Sequence, residues 1–461
     1  MLEQDLHNFD KYKRAITMSS GIESSFFLLY AALCAFLGIT YVKVKSVEGM
    51  TITTNEFKLF QNGFLTAHAA IFLGELLSLA SFYHTFVALS CDIEQITKLY
   101  IVYVISNTTC GVLLDIVDFG TRKDKCIISA VLYAISLVSL FLDDHYDMLL
   151  LGRVFYGAGS ALHHSAFQHY VDYQHEVMGF PDDWLTYTYS MMTHSMALMA
   201  GISGVVGQTA ASMGRLGSAG MCSLIVIATA AYVSLVWEQD LATPRFMWTG
   251  FLFNLRQSLE STRNKKTILL ILGISAAFES AITIFTFYWA PWITGAIVVA
   301  DQQEDRIAPC EMVYATMVVA TMLGNYVYGM YGASVGTELT FQIVLVCTGI
   351  LFMLGALVSS PLLAFLIAIF IQCGIGGYWP SIGALRGRCI VPEQRSMCIN
   401  MSRVLTMIIS SVVLRYVHDS GLLLMAICAL LCCLAAYLQH EMVTLHALEG
   451  EDFDDFEKDA D

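Results

Sequence analysis

Residues 148–176, MLLLGRVFYGAGSALHHSAFQHYVDYQHE, decide how the chain is read. The stretch opens as an apolar run long enough to enter a bilayer, yet it carries Arg153 and the adjacent pair His163 and His164. A charge in the hydrocarbon region costs at least about 2.5–3.5 kcal/mol on insertion scales, so it needs a partner or water. Arg153, Gly157, Ser160, His164 and Gln168 recur at helical spacing and share one face. Gly157 and Gly159 would let a neighbouring helix approach closely, as small residues do inside membranes. That face reads as one wall of a polar cavity. Its alternative is an Arg153 that snorkels from a helix end, with histidines that only pack.

Composition agrees with a membrane setting. The 461 residues are 56% hydrophobic and 14% charged, with 7 prolines, whereas soluble domains carry about 25% charged residues. The net charge of −15 says little about partners, because residues 441–461 hold nine acids against Lys458. That end reads as a solvated, disordered tail. Thirteen cysteines lie mostly inside apolar runs and form neither a metal spacing nor a disulfide framework, so they read as small hydrophobes.

Residues 1–23 are too polar and too long for the start of a signal peptide, so Ser24–Val42 reads as a retained first span. Twelve more stretches approach the ~20 residues that a spanning helix needs. They lie near 57–82, 96–117, 126–142, 148–171, 184–209, 217–237, 267–294, 311–332, 338–359, 361–383, 397–417 and 421–440. The expected fold is an all-α integral membrane bundle of two six-helix halves plus an extra N-terminal helix. Its divisions are 1–56 (external end, extra span and link), 57–237 (first half), 238–266 (cytosolic link), 267–440 (second half) and 441–461 (cytosolic tail). If the 43–58 and 118–125 links face the cytosol, that side holds 15 of the Lys and Arg residues and the other side 7. The positive-inside rule then puts the N-terminus outside and the C-terminus in the cytosol.

The halves echo one another. Arg153–Gly159 in the fourth helix of one half matches Phe370–Gly376 in the fourth helix of the other, and Glu75 has Glu279 as its first-helix counterpart. Gln61, His68 and Glu75 recur every seven residues on one stripe. Buried Glu75 and Glu279 either orient a solute or proton, or tie helices together by hydrogen bonds. Arg403, near Asn400, either lines the cavity or anchors a helix end. Asp118, Arg122 and Lys123 form a charged turn that reads as a gate or as an ordinary positive-inside loop. His163, His164, His169, His175 and Glu176 have metal-binding side chains, but their spacing on one helix does not favour a site. No enzyme constellation and no cofactor motif appears.

These residues resemble the major facilitator superfamily: twelve core helices, a degenerate DxGxRK turn at Asp118–Lys123, and the RxxxGxG of Arg153–Gly159. Within it they are similar to the molybdate-anion transporter family. Phe278-Glu279-Ser280 with Phe285, Phe287, Trp289 and Pro291 matches one run of that family. Gly377-Tyr378-Trp379-Pro380-Ser381, Arg386, Arg388, Pro392-Glu393, Asn400-Met401-Ser402-Arg403 and His418-Asp419-Ser420 match another, as does Ser165-Ala166-Phe167. The loop glycine at Asp118–Lys123 is displaced by one place, and Gln168 stands where that family has glutamate, so this is a divergent member. The resemblance implies secondary transport of an oxyanion such as molybdate by alternating access, in a plasma or internal membrane. The residues alone single out Arg153, Glu75, His164, Gln168, Glu279, Tyr378, Asn400 and Arg403 for the solute. Gln61, Gln168, Tyr378 and Trp379 fit a sugar or another neutral solute equally, and a non-transporting receptor or scaffold is the alternative of another class. The expected partners are the solute, the bilayer and coupled protons, with no nucleic acid.

Overall fold

A computed structural model describes residues 20–48, 53–118, 120–141, 145–214, 216–238, 245–246, 265–301, 308–390 and 392–458. Among them are thirteen long α-helices. The first is α1 (Ser20–Glu48). A first group of six follows: α2 (Asn55–Ala88), α3 (Ile93–Ile116), α4 (Arg122–Val138), α5 (Tyr146–Val177), α6 (Asp182–Ser212) and α7 (Gly217–Val236). The second group is α8 (Lys265–Asp301), α9 (Cys310–Val335), α10 (Thr337–Leu357), α11 (Pro361–Cys389), α12 (Pro392–Val417) and α13 (Gly421–Lys458). The predicted spans all fall on these helices. The 1–19 end and most of the 238–266 link lie outside the described residues, as do several cations counted for orientation.

Ten of the helices are long and apolar enough to cross a membrane. The other three, α5, α6 and α9, are less apolar because they carry buried polar groups such as Arg153, His194 and Glu311. Hydrophobic burial between helices gains little in lipid, so the bundle must rely on close packing and interhelical hydrogen bonds. Gly157 shows the first. A Cβ there would lie 2.7 Å from the Tyr103 carbonyl and 2.8 Å from the Asn107 nitrogen, so α5 rests directly on the α3 backbone. In the other half Gly376 brings α11 against the Thr321 carbonyl of α9. The repeated glycines therefore do the same work in both halves, with a two-residue offset from the sequence match.

The halves meet where α6 and α2 pack on α9, and where α3 packs on α12. An apolar cluster fills the first seam, with Leu76, Ala197, Ala200, Val319 and Leu323 around Leu37 of α1. Helix α1 lies across that seam: Tyr30 donates to the Gly201 carbonyl of α6, while Phe26 stacks at 4.4 Å on Phe365 of α11.

Two segments differ from the sequence expectation. Helix α13 runs without a break to Lys458, and Met442 is fully buried, so the chain past 441 begins as packed helix rather than a solvated end. Val117–Asp118 forms a two-residue ladder with Arg245–Phe246, which fastens the α3–α4 turn to the link between the halves.

Candidate functional site

A cavity of about 270 Å³ lies between the halves. The first half lines it with Tyr100, Tyr103, Asn107 and Thr108 of α3 and His164 of α5. The second half supplies Glu279, Thr283 and Thr286 of α8, Trp379 of α11, and Arg403 and Thr406 of α12. A larger groove of about 540 Å³ between α9, α10 and α11 is almost wholly apolar and offers a solute no charge. Tyr103, Asn107 and Gly111 recur at i, i+4 and i+8 on α3, a polar stripe that the sequence displays but that sequence reasoning passed over.

Each half presents one carboxylate from its first helix, and each is engaged by its fourth helix. Glu75 Oε1 accepts hydrogen bonds from Tyr133 at 3.0 Å and Ser160 at 3.2 Å. His164 Nε2 lies 3.5 Å from the same oxygen, and His163 Nε2 lies 3.6 Å from Oε2. In the second half, Glu279 Oε1 accepts from Tyr378 at 3.0 Å and pairs with Arg386 at 3.0 Å. Arg386 also donates to Ser275 at 2.7 Å. In the sequence Arg386 falls between the apolar stretches 361–383 and 397–417. It lies inside α11, one turn before the helix ends, and reaches back to neutralise Glu279.

Arg153 is not at the cavity. It is 2% exposed and is not among the cavity-lining residues. It donates to Ser136 at 3.2 Å and lies over the rings of Phe82, Phe86 and Tyr156, 4.9–5.6 Å from their centroids. No carboxylate faces it among the described residues, so ring faces carry most of its electrostatic support. On its helical face, His164 lines the cavity, Gly157 packs on α3, and Ser160 is buried against Glu75. Arg153 lies three turns from His164, where that face has turned into the first half.

His164, Glu279 and Arg403 are thus the sequence-predicted residues that the fold brings together around the cavity. Tyr378 is buried behind Glu279 and stacks on Phe278 at 4.4 Å. Glu75 is buried behind His164, Asn400 is buried, and Gln168 is exposed beyond the lining.

At the gate turn only the backbone of Asp118 is described, and Arg122 lies 3.9 Å over the Tyr173 ring. Lys123 donates to the carbonyls of Ser234 at 3.0 Å and Trp237 at 2.6 Å, capping the end of α7. Those carbonyls have no partner within their helix, and a cation there also suits the helix dipole.

One end of the cavity is closed between the halves. Tyr100 donates to the Thr283 carbonyl at 2.9 Å and packs on Phe287 at 5.3 Å. Nearby, Glu311 of α9 accepts from Ser218 of α7 at 2.9 Å and lies 3.3 Å from His84 Nε2 of α2. Glu94 and Arg415, both exposed, stand 3.5 Å apart at the same end. No spacing in the sequence links His84 of α2 to Glu311 of α9.

Two pseudo-equivalent six-helix halves around a central polar cavity, sealed at one end, define a multi-pass membrane transporter of the alternating-access type. The comparisons place it more closely. The major facilitator family model MFS_5, described as sugar transporters with 12 TM, matches residues 25–368, and the chain belongs to that family. A molybdate-anion transporter of Danio rerio is 23% identical over 423 residues, 82% of this chain and 84% of that protein. One from Xenopus tropicalis is 27% identical over 315 residues, 65% and 66% of the two chains. Among solved structures, the nucleoside transporter NupG superposes with a TM-score of 0.61 at 13% identity, covering 85% of this chain and 99% of that one. The D-xylose–proton symporter gives 0.61 at 13%, covering 83% and 97%. Those two likenesses concern the fold alone.

Proposed function

We propose that this transporter carries a small oxyanion of the molybdate type, unchanged, by alternating access. The observation that carries the reading is Arg403. It lines the cavity and is exposed to it, and among the described residues it has no carboxylate partner. The cavity's own carboxylate, Glu279, is already paired with Arg386, and Glu75 is engaged by hydroxyls and histidines. The surplus charge is therefore positive. A planar guanidinium can hold two oxygens of a tetrahedral anion at once, with Asn107, Thr108 and Thr406 as further donors. The molybdate-anion transporters among the relatives support the same class.

Movement follows from the closed end. With the positive-inside orientation that end faces outward, and opening it separates His84 from Glu311 and Tyr100 from Thr283. The Asp118–Lys123 turn acts as a clasp, Lys123 holding α7 and the 117–118 backbone holding the link, so that the first half moves as one body. Protons are the coupling species this arrangement favours. Glu279 is the lining carboxylate and the group that would carry them.

A neutral sugar is the second reading, supported by Trp379, Tyr100 and Asn107 in the lining and by the description of the family model. Uptake into proteoliposomes from a panel of molybdate, sulfate, D-xylose and hexoses separates the two. Saturable molybdate uptake, competed by sulfate and indifferent to sugars, is the expected outcome; saturable sugar uptake without anion uptake would reverse the assignment.

A further inference from the structure

Glu75, His163 and His164 sit together in the wall of the first half, and their separations fit a hydrogen-bonded cluster poorly. An imidazole N–H donating to a carboxylate stands about 2.7–3.2 Å away, whereas the two nitrogens here lie 3.6 and 3.5 Å from Glu75 oxygens. All three donor atoms fall within 4.8 Å of one another. Ligands of a tetrahedral divalent ion at about 2.0–2.2 Å are separated by ~3.3–3.6 Å along each edge. Both carboxylate–imidazole separations fall at that edge length.

The surroundings support the same conclusion. Tyr133 and Ser160 donate to Glu75 Oε1 and fix the carboxylate, which is what second-shell groups do for a ligand. The His164 side chain is 58% exposed and lines the cavity, so a fourth position opens toward the solute.

We infer that Glu75, His163 and His164 bind a borderline first-row divalent cation, with Zn²⁺ as the type case, leaving one coordination position open to the cavity. Two imidazoles and a carboxylate are the donor set that such an ion prefers over Mg²⁺ or Ca²⁺. The sequence does not show the site because its third donor comes from α2, about ninety residues before the histidines in the chain. The site also changes the cavity, since a bound dication adds positive charge on the wall opposite Arg403. Cation and oxyanion then bind with mutual reinforcement, each raising the other's affinity by the same factor. That corollary rests on the proposed anion transport; the metal site does not.

The test uses the full chain purified in detergent, stripped with chelator and dialysed against ZnCl₂, with bound metal measured by mass spectrometry. One tightly held ion per chain is expected, lost in both His164→Ala and Glu75→Gln. His164→Ala is the decisive variant, because its ring faces the cavity and its removal leaves the buried network in place. Co²⁺ loaded in place of Zn²⁺ should give a tetrahedral absorption spectrum without thiolate charge-transfer bands. The thirteen free cysteines are the competing ligands. Thiolate bands, full retention of the ion by His164→Ala, or no stoichiometric binding by the unaltered chain would each overturn the site.

Discussion

Replacing Arg386 with methionine removes a charge of similar length and leaves Glu279 in place. The variant loses the 3.0 Å pair with Glu279 and the 2.7 Å bond to Ser275, and Glu279 keeps the Tyr378 hydroxyl. Both members of the pair are largely shielded, at 13% and 12% exposure. Breaking such a pair on one side costs about 3–5 kcal/mol, chiefly because the surviving charge is stranded. The partial exposure and the remaining Tyr378 bond place the expected cost at the lower end, about 3 kcal/mol. Removing both charges should cost far less, about 1 kcal/mol or under, since neither side then holds a stranded charge. The assay is a double-mutant cycle on unfolding in mixed micelles, comparing Arg386→Met, Glu279→Gln and the double variant. A coupling energy of about 2 kcal/mol or more is expected. Additive losses, with the double variant as unstable as the two singles summed, would refute the reasoning and mean that Arg386 acts elsewhere.

Arg153 should behave in the opposite way: Arg153→Met removes a buried cation that faces no carboxylate among the described residues, so stability is expected to hold or to rise by about 1 kcal/mol. Solute uptake should persist in the same protein, and its abolition with folding intact would return Arg153 to the site. Glu311→Leu removes the acceptor of Ser218 and the contact with His84, so the closed end should open more often; a cysteine introduced as Tyr83→Cys, at the half-buried α2 position beside Tyr100 and Phe287, should then react faster with an impermeant thiol reagent, and an unchanged rate would show that Glu311 does not hold the halves. Truncation after His440 removes the buried Met442 and should cost about 1.5–3 kcal/mol, the worth of burying one such side chain. Truncation after Leu445 should cost little, and equal effects from the two would remove Met442 from the core.

The fold was largely legible because membrane spans follow from apolar length, and every predicted span became a helix. The glycines of the fourth helices were legible for a similar reason, as Gly157 shows by resting on the α3 backbone. What escaped was tertiary. Arg386 falls beyond the 361–383 stretch, because one turn of helix at the membrane edge has the same composition as a loop; only the fold shows it reaching Glu279. Arg153 was misplaced because a helical face drawn through five residues says which side they share, not which neighbours that side meets over three turns. The His84–Glu311 contact and the joining of Glu75 to His163 and His164 unite helices far apart in the chain, and no local period encodes them.

The central claim is that Arg403 gives this transporter its preference for an anion, and equilibrium exchange of molybdate across proteoliposome membranes tests it most directly. The unaltered chain should show saturable exchange, Arg403→Lys a weakened but measurable exchange, and Arg403→Gln none above empty vesicles, all three proteins being folded and reconstituted to equal density. Saturable molybdate exchange by Arg403→Gln at the rate of the unaltered chain would contradict the account.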